Sequence, residues 1–373
     1  MERGQIFSSA TKVVVKVGTA SITTKLRLDE GKLDKLGAEI ASLKASGLEV
    51  IIVSSGAIAC GMTKLGLKQK PRDINLLQAC AAVGQNELMK AYGQMFTKHG
   101  FVVAQILVTK QDFENRTRYL NIRNTFNSLL KLGVIPIVNE NDSVSVDEIK
   151  FGDNDTLSAL IASNLGADLL ILMSSMDGLY TLDPRKSENA KKIHEVRQIT
   201  DDIEMLDGKS WGGGVGGIRS KVIAGKTMMK CGIPMAIVDA RMSGVLKRLF
   251  NGEPVGTVFI PGEKLDNKHQ WMLFSTKTRG SVTVDSGAKN ILKTGKTSLL
   301  PAGVTKVKGE FNKGEAISIL DSEGIEFARG ISNFTSEEIG KIRGLKCSEI
   351  SSKLGKKTCN EIIYHDNMIL LTK

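Results

Sequence analysis

Short apolar runs that stop abruptly in small polar residues, with helical patterns between them, set the strongest limit on how this chain folds. T-K-V-V-V-K-V (Thr11–Val17) closes in G-T-A-S, Glu49–Val53 closes in Ser54-Ser55-Gly56-Ala57, and Leu169–Met173 closes in Ser174-Ser175-Met176-Asp177-Gly178. Between the first two runs, Leu33, Leu36, Ile40 and Leu43 recur at spacings of three and four as far as Gly47, which is one face of a helix. Leu76–His99 and Tyr119–Leu132 predict two more helices, and Val102–Val108 and Ile135–Val138 two more strands. Pro136 is tolerated near the start of a strand. Strand, polar turn, helix and strand again is the rhythm of a mostly parallel open sheet sandwiched by helices.

The rhythm persists to about residue 262. L-Y-T-L-D-P-R (Leu179–Arg185) reads as an irregular loop, and W-G-G-G-V-G-G-I-R-S-K (Trp211–Lys221) opens a helix running through Met229. Ile233–Val238, Val245–Phe250 and Thr257–Ile260 predict strand, helix and strand. Residues 1–262 are therefore expected to form one α/β domain, and residues 262–276 a connector. Beyond it, Ser281–Val284, Thr305–Val307, Glu315–Leu320 and Ile325–Ala328 are short strands with glycine turns, which predicts a small β-rich domain over residues 277–373.

The chemistry concentrates in Ile135–Ala159. A buried strand stops at Asn139, Glu140, Asn141 and Asp142, and a second cluster, Asp153, Asn154 and Asp155, opens the apolar pattern Leu157, Leu160, Ile161. D-N-D-T can be read as a helix cap alone. One cap needs one such residue, however, and the two clusters hold seven. In an open α/β sheet the carboxyl ends of strands and the starts of helices are where ligands bind.

Lys16 is the anomaly of the first strand, because an ammonium among valines is costly unless it is paired or solvated at an edge. It stands one residue before Val17 and the Gly18 turn, where it can meet a phosphate while Gly18 allows close backbone approach. Gly212, Gly214 and Gly217 satisfy G-x-G-x-x-G, but no strand precedes them, so a dinucleotide fingerprint is refused. Ile218 follows Gly217 where a P-loop needs lysine. What remains is a glycine-rich loop opening a helix, whose N–H groups suit anions, with Lys221 one turn inside it. Two lysines from separate loops, held by an aspartate such as Asp155, fit phosphoryl transfer, in which catalysis is mostly positioning and cationic stabilisation. A carboxylate acceptor, with a pKa of about 4.3, is already ionised and needs no general base. The four histidines show no catalytic or metal-ligand spacing, and no resident metal site is expected.

The net charge of +11 raises nucleic acid as a partner. Residues 263–373 hold 18 basic and 13 acidic side chains, hence +5, which leaves +6 for the first 262. No run of five like charges occurs, so the charge suits anionic small substrates at least as well as a nucleic-acid track and decides nothing alone; the few aromatics for stacking on bases and the lack of a basic stripe in the C-terminal region speak against nucleic acid. No apolar run approaches the roughly 18 residues of a membrane helix. Without a signal-like N-terminus, and with five scattered cysteines lacking any C-x-x-C, a cytoplasmic protein with reduced thiols is expected.

V-V-K-V-G-T-A-S, V-S-S-G-A-I-A, A-A-V-G-Q, I-P-I-V-N-E-N-D, F-G-D-N-D-T-L-S-A and G-L-Y-T-L-D-P-R follow one another in an order that resembles the amino acid kinase family, and within it the glutamate 5-kinases. S-V-T-V-D-S-G-A, S-L-L-P-A-G-V and G-E-F-N-K-G-E-A-I-S-I resemble a PUA domain. The resemblance implies the amino acid kinase fold and transfer of phosphate from ATP, with Mg²⁺, to the γ-carboxylate of L-glutamate, the first step of proline synthesis. It implies that Lys16, Lys221 and Asp155 are catalytic, and that Ser55, Asp142 and Asn154 bind glutamate, Asp142 meeting its α-ammonium. For the nucleotide it implies Lys16, Gly18, Ser174, Ser175 and the run Val215, Gly216, Gly217, Ile218, Arg219, Ser220, Lys221. It further implies a homo-oligomer and feedback by proline, and an unstable acyl phosphate product makes a glutamyl phosphate reductase a candidate partner.

Two positions depart from the family's pattern. Ser174-Ser175 stands where Thr or Ser followed by Asp is usual, and G-V-G-G-I stands where G-T-G-G-M is usual, so Val215 lacks a hydroxyl. Two other readings remain open here: a sibling kinase acting on N-acetylglutamate or aspartate, and an RNA-binding protein working through the PUA-like region.

Overall fold

Val13, Val14, Val15 and Val17 are wholly buried because their strand, β1 (Lys12–Val17), lies inside an eight-stranded sheet. The computed structural model describes residues 2–25, 27–145, 154–206, 217–262, 278–295, 297–355 and 361–371. The sheet's other strands are β2 (Glu49–Ser54), β3 (Val103–Val108), β4 (Ile135–Glu140), β5 (Leu169–Ser174), β6 (Glu195–Val196), β7 (Met235–Asp239) and β8 (Thr257–Phe259). Their order is β6-β8-β7-β5-β1-β2-β4-β3. The six strands from β7 to β3 are parallel, whereas β8 runs antiparallel to β7 and β6 parallel to β8. From β1 the chain fills one side of the sheet through β4 and then crosses to place β5 on the other. The carboxyl end of β1 is thus a point where strand order reverses, the place such sheets bind ligands.

Alternation along β1 decides what each residue meets. Val13, Val15 and Val17 join a core with Leu36 and Ile40 of the helix Glu30–Ala45 and with Leu88 and Tyr92 of a longer helix. Val14 and Lys16 take the opposite face. Four helices carry the rest of the argument: α1 (Ala57–Lys64), α2 (Ile74–Thr97), α3 (Asn154–Leu165) and α4 (Ile218–Cys231). α3 packs on β1 and α4 packs on α3. Helix α1 begins directly after the Ser54-Ser55-Gly56 turn, in which Gly56 has a φ of 112° that a side chain would strain. Across it runs α2, at a distance only glycine permits: a Cβ at Gly84 would stand 1.8 Å from the Ala57 carbonyl oxygen.

Strand structure extends beyond the apolar runs in three places, one of them a separate two-stranded ribbon. β4 continues through Asn139 and Glu140, which pair with Leu107 and Val108, so polar residues follow the backbone ladder past the end of the apolar run. Leu179–Tyr180 is no irregular loop; it pairs antiparallel with Lys192–Ile193. Glu195–Val196 is a strand too. Two-residue strands carry no readable period, and it is their partners that specify them.

The chain divides into two units, Met1–Leu265 and Asp266–Lys373. Of the connector expected over 262–276, only Gly262 lies within the described residues. The second unit is a five-stranded sheet of β9 (Gly280–Val284), β10 (Val304–Gly309), β11 (Ala316–Leu320), β12 (Glu326–Ile331) and β13 (Met368–Leu370), in the order β10-β9-β11-β12-β13. Val282, Val284, Ile317, Ile319, Phe334 and Ile339 form its own core. Among the described residues no helix is long and apolar enough to cross a membrane.

Candidate active site

The two lysines picked out in the sequence meet on one carboxylate. Lys16 Nζ lies 2.7 Å from Asp155 Oδ1, and Lys221 Nζ lies 3.0 Å from Asp155 Oδ2. Ser220 Oγ donates to Asp155 Oδ2 at 2.6 Å. Asp155 is fully buried and both lysines are less than a tenth exposed. Burial on its own pushes the Asp155 pKa up. The two ammoniums and the hydroxyl outweigh it and hold the carboxyl well below the usual carboxylate range. The aspartate is thus a fixed anion that holds two cations at the switch point of the sheet.

Each member is there for a local reason. Lys16 points to the face covered by α3 because it shares the parity of Val14 on β1. It lies level with Val53 of β2 and Leu172 of β5, near the ends of three adjacent strands. Asp155 is in the first turn of α3, where a carboxylate is favoured by the helix dipole. Ser220 and Lys221 are in the first turn of α4, whose start at Gly217 is extended backbone.

Asn154, beside Asp155, organises a second group. Its Nδ2 donates to Ser55 Oγ at 2.7 Å, to Asn139 Oδ1 at 3.1 Å and to the Ser54 carbonyl at 3.2 Å. Asn139 Nδ2 in turn donates to Gln85 Oε1 at 3.0 Å. Ser54 Oγ and the Tyr92 hydroxyl are 2.8 Å apart, and Ser55 N–H donates to the Val17 carbonyl at 3.1 Å, which ties the β2 turn to β1.

Asp142 follows β4 and is buried, and its Oδ1 has no hydrogen-bond partner among the described residues. Burial, reinforced by the neighbouring Glu140 carboxylate, pushes its pKa up to about 7. A buried, electron-rich oxygen without a donor among the described residues fits a cation brought by a ligand.

Of the residues the sequence assigned to the nucleotide, Ser174 is buried and its Oγ accepts from Met176 N–H, while Ser175 is exposed. Asp177, two residues on, is held by Lys192 at 2.9 Å and by the Tyr180 hydroxyl. At Gly18 the φ is −75°, and an added Cβ would meet nothing closer than 3.5 Å. The fold itself does not demand glycine there; the Cβ would enter the space 3.8 Å from Lys16 Nζ. Ile218 is buried and can offer a ligand only its backbone, while Arg219 is exposed. Val215 and Gly216 lie outside the described residues.

Lys16, Asp155, Ser220 and Lys221 are therefore one cluster, and Ser55 and Asn154 another, joined through consecutive residues of α3. Sequence reasoning placed Asn139 in the first polar cluster without giving it a role, and it passed over Gln85 and Tyr92. The one available signal was the G-Q pair within A-A-V-G-Q, where a glycine in mid-helix marks a close approach. Among the described residues no cluster of three His, Cys, Asp or Glu side chains could hold a metal ion.

The amino acid kinase family matches residues 11–239, and the PUA domain matches residues 280–354. The chain is 44% identical over 372 residues to the glutamate 5-kinase of Geobacter sp. (strain M21), with 99% of this chain and 100% of that protein covered. It is 45% identical over 370 residues to the glutamate 5-kinase of Carboxydothermus hydrogenoformans, with 98% and 99% covered. To the glutamate 5-kinase of Thermoanaerobacter sp. (strain X514) it is 44% identical over 370 residues, with 97% and 98% covered.

Proposed function

This chain belongs to the amino acid kinase family and to the glutamate 5-kinases within it, and from that premise we propose that its site transfers the γ-phosphoryl group of ATP to the γ-carboxylate of L-glutamate. The observation that carries the reading is the Lys16–Asp155–Lys221 cluster at the carboxyl end of β1. A γ-carboxylate oxygen attacks the γ-phosphorus, the bond from that phosphorus to the β-phosphate oxygen breaks, and ADP leaves with the electron pair. No proton moves, because the acceptor is ionised at neutral pH. The protein's task is to bring two anions together and to stabilise the charge spread over the transferring oxygens.

Lys16, beside the Gly18 turn, is suited to the phosphates of the bound nucleotide. Lys221, at the start of a helix with its N–H groups open to anions, is suited to the transferring group. Asp155 keeps both ammoniums charged and apart. Ser55 and Asn154 offer polar groups for the glutamate side chain, and Asp142 suits the α-ammonium. N-acetylglutamate has no ammonium there and would leave Asp142 buried against a neutral amide, so free glutamate is favoured over the acetylated acid. Mg²⁺ is expected to arrive on the ATP phosphates: no carboxylate cage is available among the described residues, and both Asp155 oxygens are engaged. A homo-oligomer, feedback by proline and hand-over to a glutamyl phosphate reductase are further parts of this reading.

The test is hydroxamate formation from ATP, Mg²⁺ and hydroxylamine with L-glutamate, N-acetylglutamate or L-aspartate. Product from glutamate alone is expected; product only from another acid would overturn the substrate assignment.

Asp142 adds a pH prediction. Its carboxyl, raised to about 7 in the free protein, must be ionised to hold an ammonium. Affinity for glutamate is therefore full above pH 7 and lost as pH falls through it. kcat/KM for glutamate is expected to be about tenfold below its plateau at pH 6, following this single ionisation. Asp142→Asn should lower kcat/KM and flatten that limb. A limb that persists in the variant would assign the titration elsewhere.

A further inference from the structure

Resting on the reading of Ser55 and Asn154 as the glutamate side, we propose that Gln85 is a positioning residue for that side, acting through Asn139. The argument begins at a backbone atom. The Ser54 carbonyl can only accept, so the Asn154 atom 3.2 Å from it must be the NH₂ group. The Asn139 atom 3.1 Å from that NH₂ must then be oxygen, which turns the Asn139 NH₂ toward Gln85. The Gln85 atom that receives it at 3.0 Å must in turn be Oε1. One backbone carbonyl fixes the polarity of three amides in series, and Gln85 is the acceptor that ends the series. With the end acceptor removed, Asn139 can rotate and present a donor to Asn154, whose NH₂ then faces another NH₂.

Two further observations mark this glutamine as chosen for its acceptor. It is nine-tenths buried, and its Nε2 has no partner among the described residues, so half of a costly buried amide is left unused. The residue before it, Gly84, also lets α2 touch the start of α1 at the Ala57 carbonyl, two residues after Ser55. The helix carrying Gln85 is therefore locked to the turn carrying Ser55, and the amide series spans that fixed gap. A glutamine kept only for packing would need neither the closeness nor the unpaired nitrogen.

The experiment compares wild type, Gln85→Met and Gln85→Glu in the full chain, by hydroxamate kinetics and thermal melting. Methionine keeps the volume and loses the acceptor, whereas glutamate keeps an oxygen where Asn139 donates. Gln85→Met is expected to raise KM for glutamate about tenfold while KM for ATP and kcat stay within about twofold, the signature of lost ground-state positioning on one substrate. Gln85→Glu should recover most of that loss. In an Asn139→Ala background the same Gln85→Met change should add less than twofold, since coupled residues are not additive. A folded Gln85→Met chain with unchanged KM for glutamate, an equal rise in both KM values, or no recovery in Gln85→Glu would overturn the proposal and leave the substrate reading intact. A wild-type chain without glutamate-dependent turnover would overturn that reading, and this proposal with it.

Discussion

Lys221→Met is expected to lower kcat for glutamate-dependent hydroxamate formation by about 10³-fold, with both KM values within about threefold. The ammonium lies in the first turn of α4, bonded to Asp155, and has little exposure to water that could screen it. Its interaction grows as charge moves onto the transferring oxygens, so its removal raises the barrier far more than it weakens binding. A factor of 10³ corresponds to about 4 kcal/mol of transition-state stabilisation, the size found for single preorganised donors. Folding should survive. Methionine follows the path of the lysine stem, and Asp155 keeps Lys16 at 2.7 Å and Ser220 at 2.6 Å, so no carboxylate is orphaned. A loss below tenfold in kcat, with KM for ATP rising instead, would reassign Lys221 to ground-state nucleotide binding.

How much of this was visible in the sequence depends on which kind of signal each residue leaves. Lys16 stood out because an ammonium in a valine run breaks a rule, and burial beside Asp155 is how the fold obeys it. Asp155 stood out because two polar clusters held more carboxylates and amides than a cap requires. The parallel sheet followed from the strand, turn and helix rhythm, since each element there is long enough to carry its period. The same reasoning explains the misses. Leu179–Tyr180, Glu195–Val196 and Met368–Leu370 are too short for alternation, and only their pairing partners make them strands. Gln85 is one of three glutamines in a 24-residue helix and looks like a surface residue until α2 is laid against the β2 turn. Its partner Asn139 lies 54 residues from it along the chain, and Asn154, the next amide in the series, lies 15 beyond Asn139. Nothing local records contacts of that kind.

Asp155→Asn carries the second large effect, this time on stability as well as rate. The change removes the negative charge between the two lysines and leaves two nearly buried ammoniums facing a neutral amide and each other. Breaking a buried ion pair from one side costs about 3–5 kcal/mol, because the remaining charge stays desolvated. A fall of that size in the urea unfolding free energy of the first unit is expected, together with loss of hydroxamate formation. The acid limb of stability should change as well. A carboxyl whose folded pKa is depressed stabilises above its unfolded value of about 3.9, and that contribution drains away as pH falls through the folded value. Wild type should therefore lose stability below about pH 3.9 with a component that the asparagine variant lacks. The triple change Lys16→Met, Asp155→Asn, Lys221→Met separates charge from packing. Replacing a whole buried ionic group by apolar side chains is often neutral or stabilising, so the triple variant should regain most of the lost stability while remaining inactive. If it stays as unstable as Asp155→Asn, the loss comes from packing around α3 and not from stranded ammoniums. If it recovers, the three charges are in this fold for the reaction they serve, since the sheet keeps most of its stability without them.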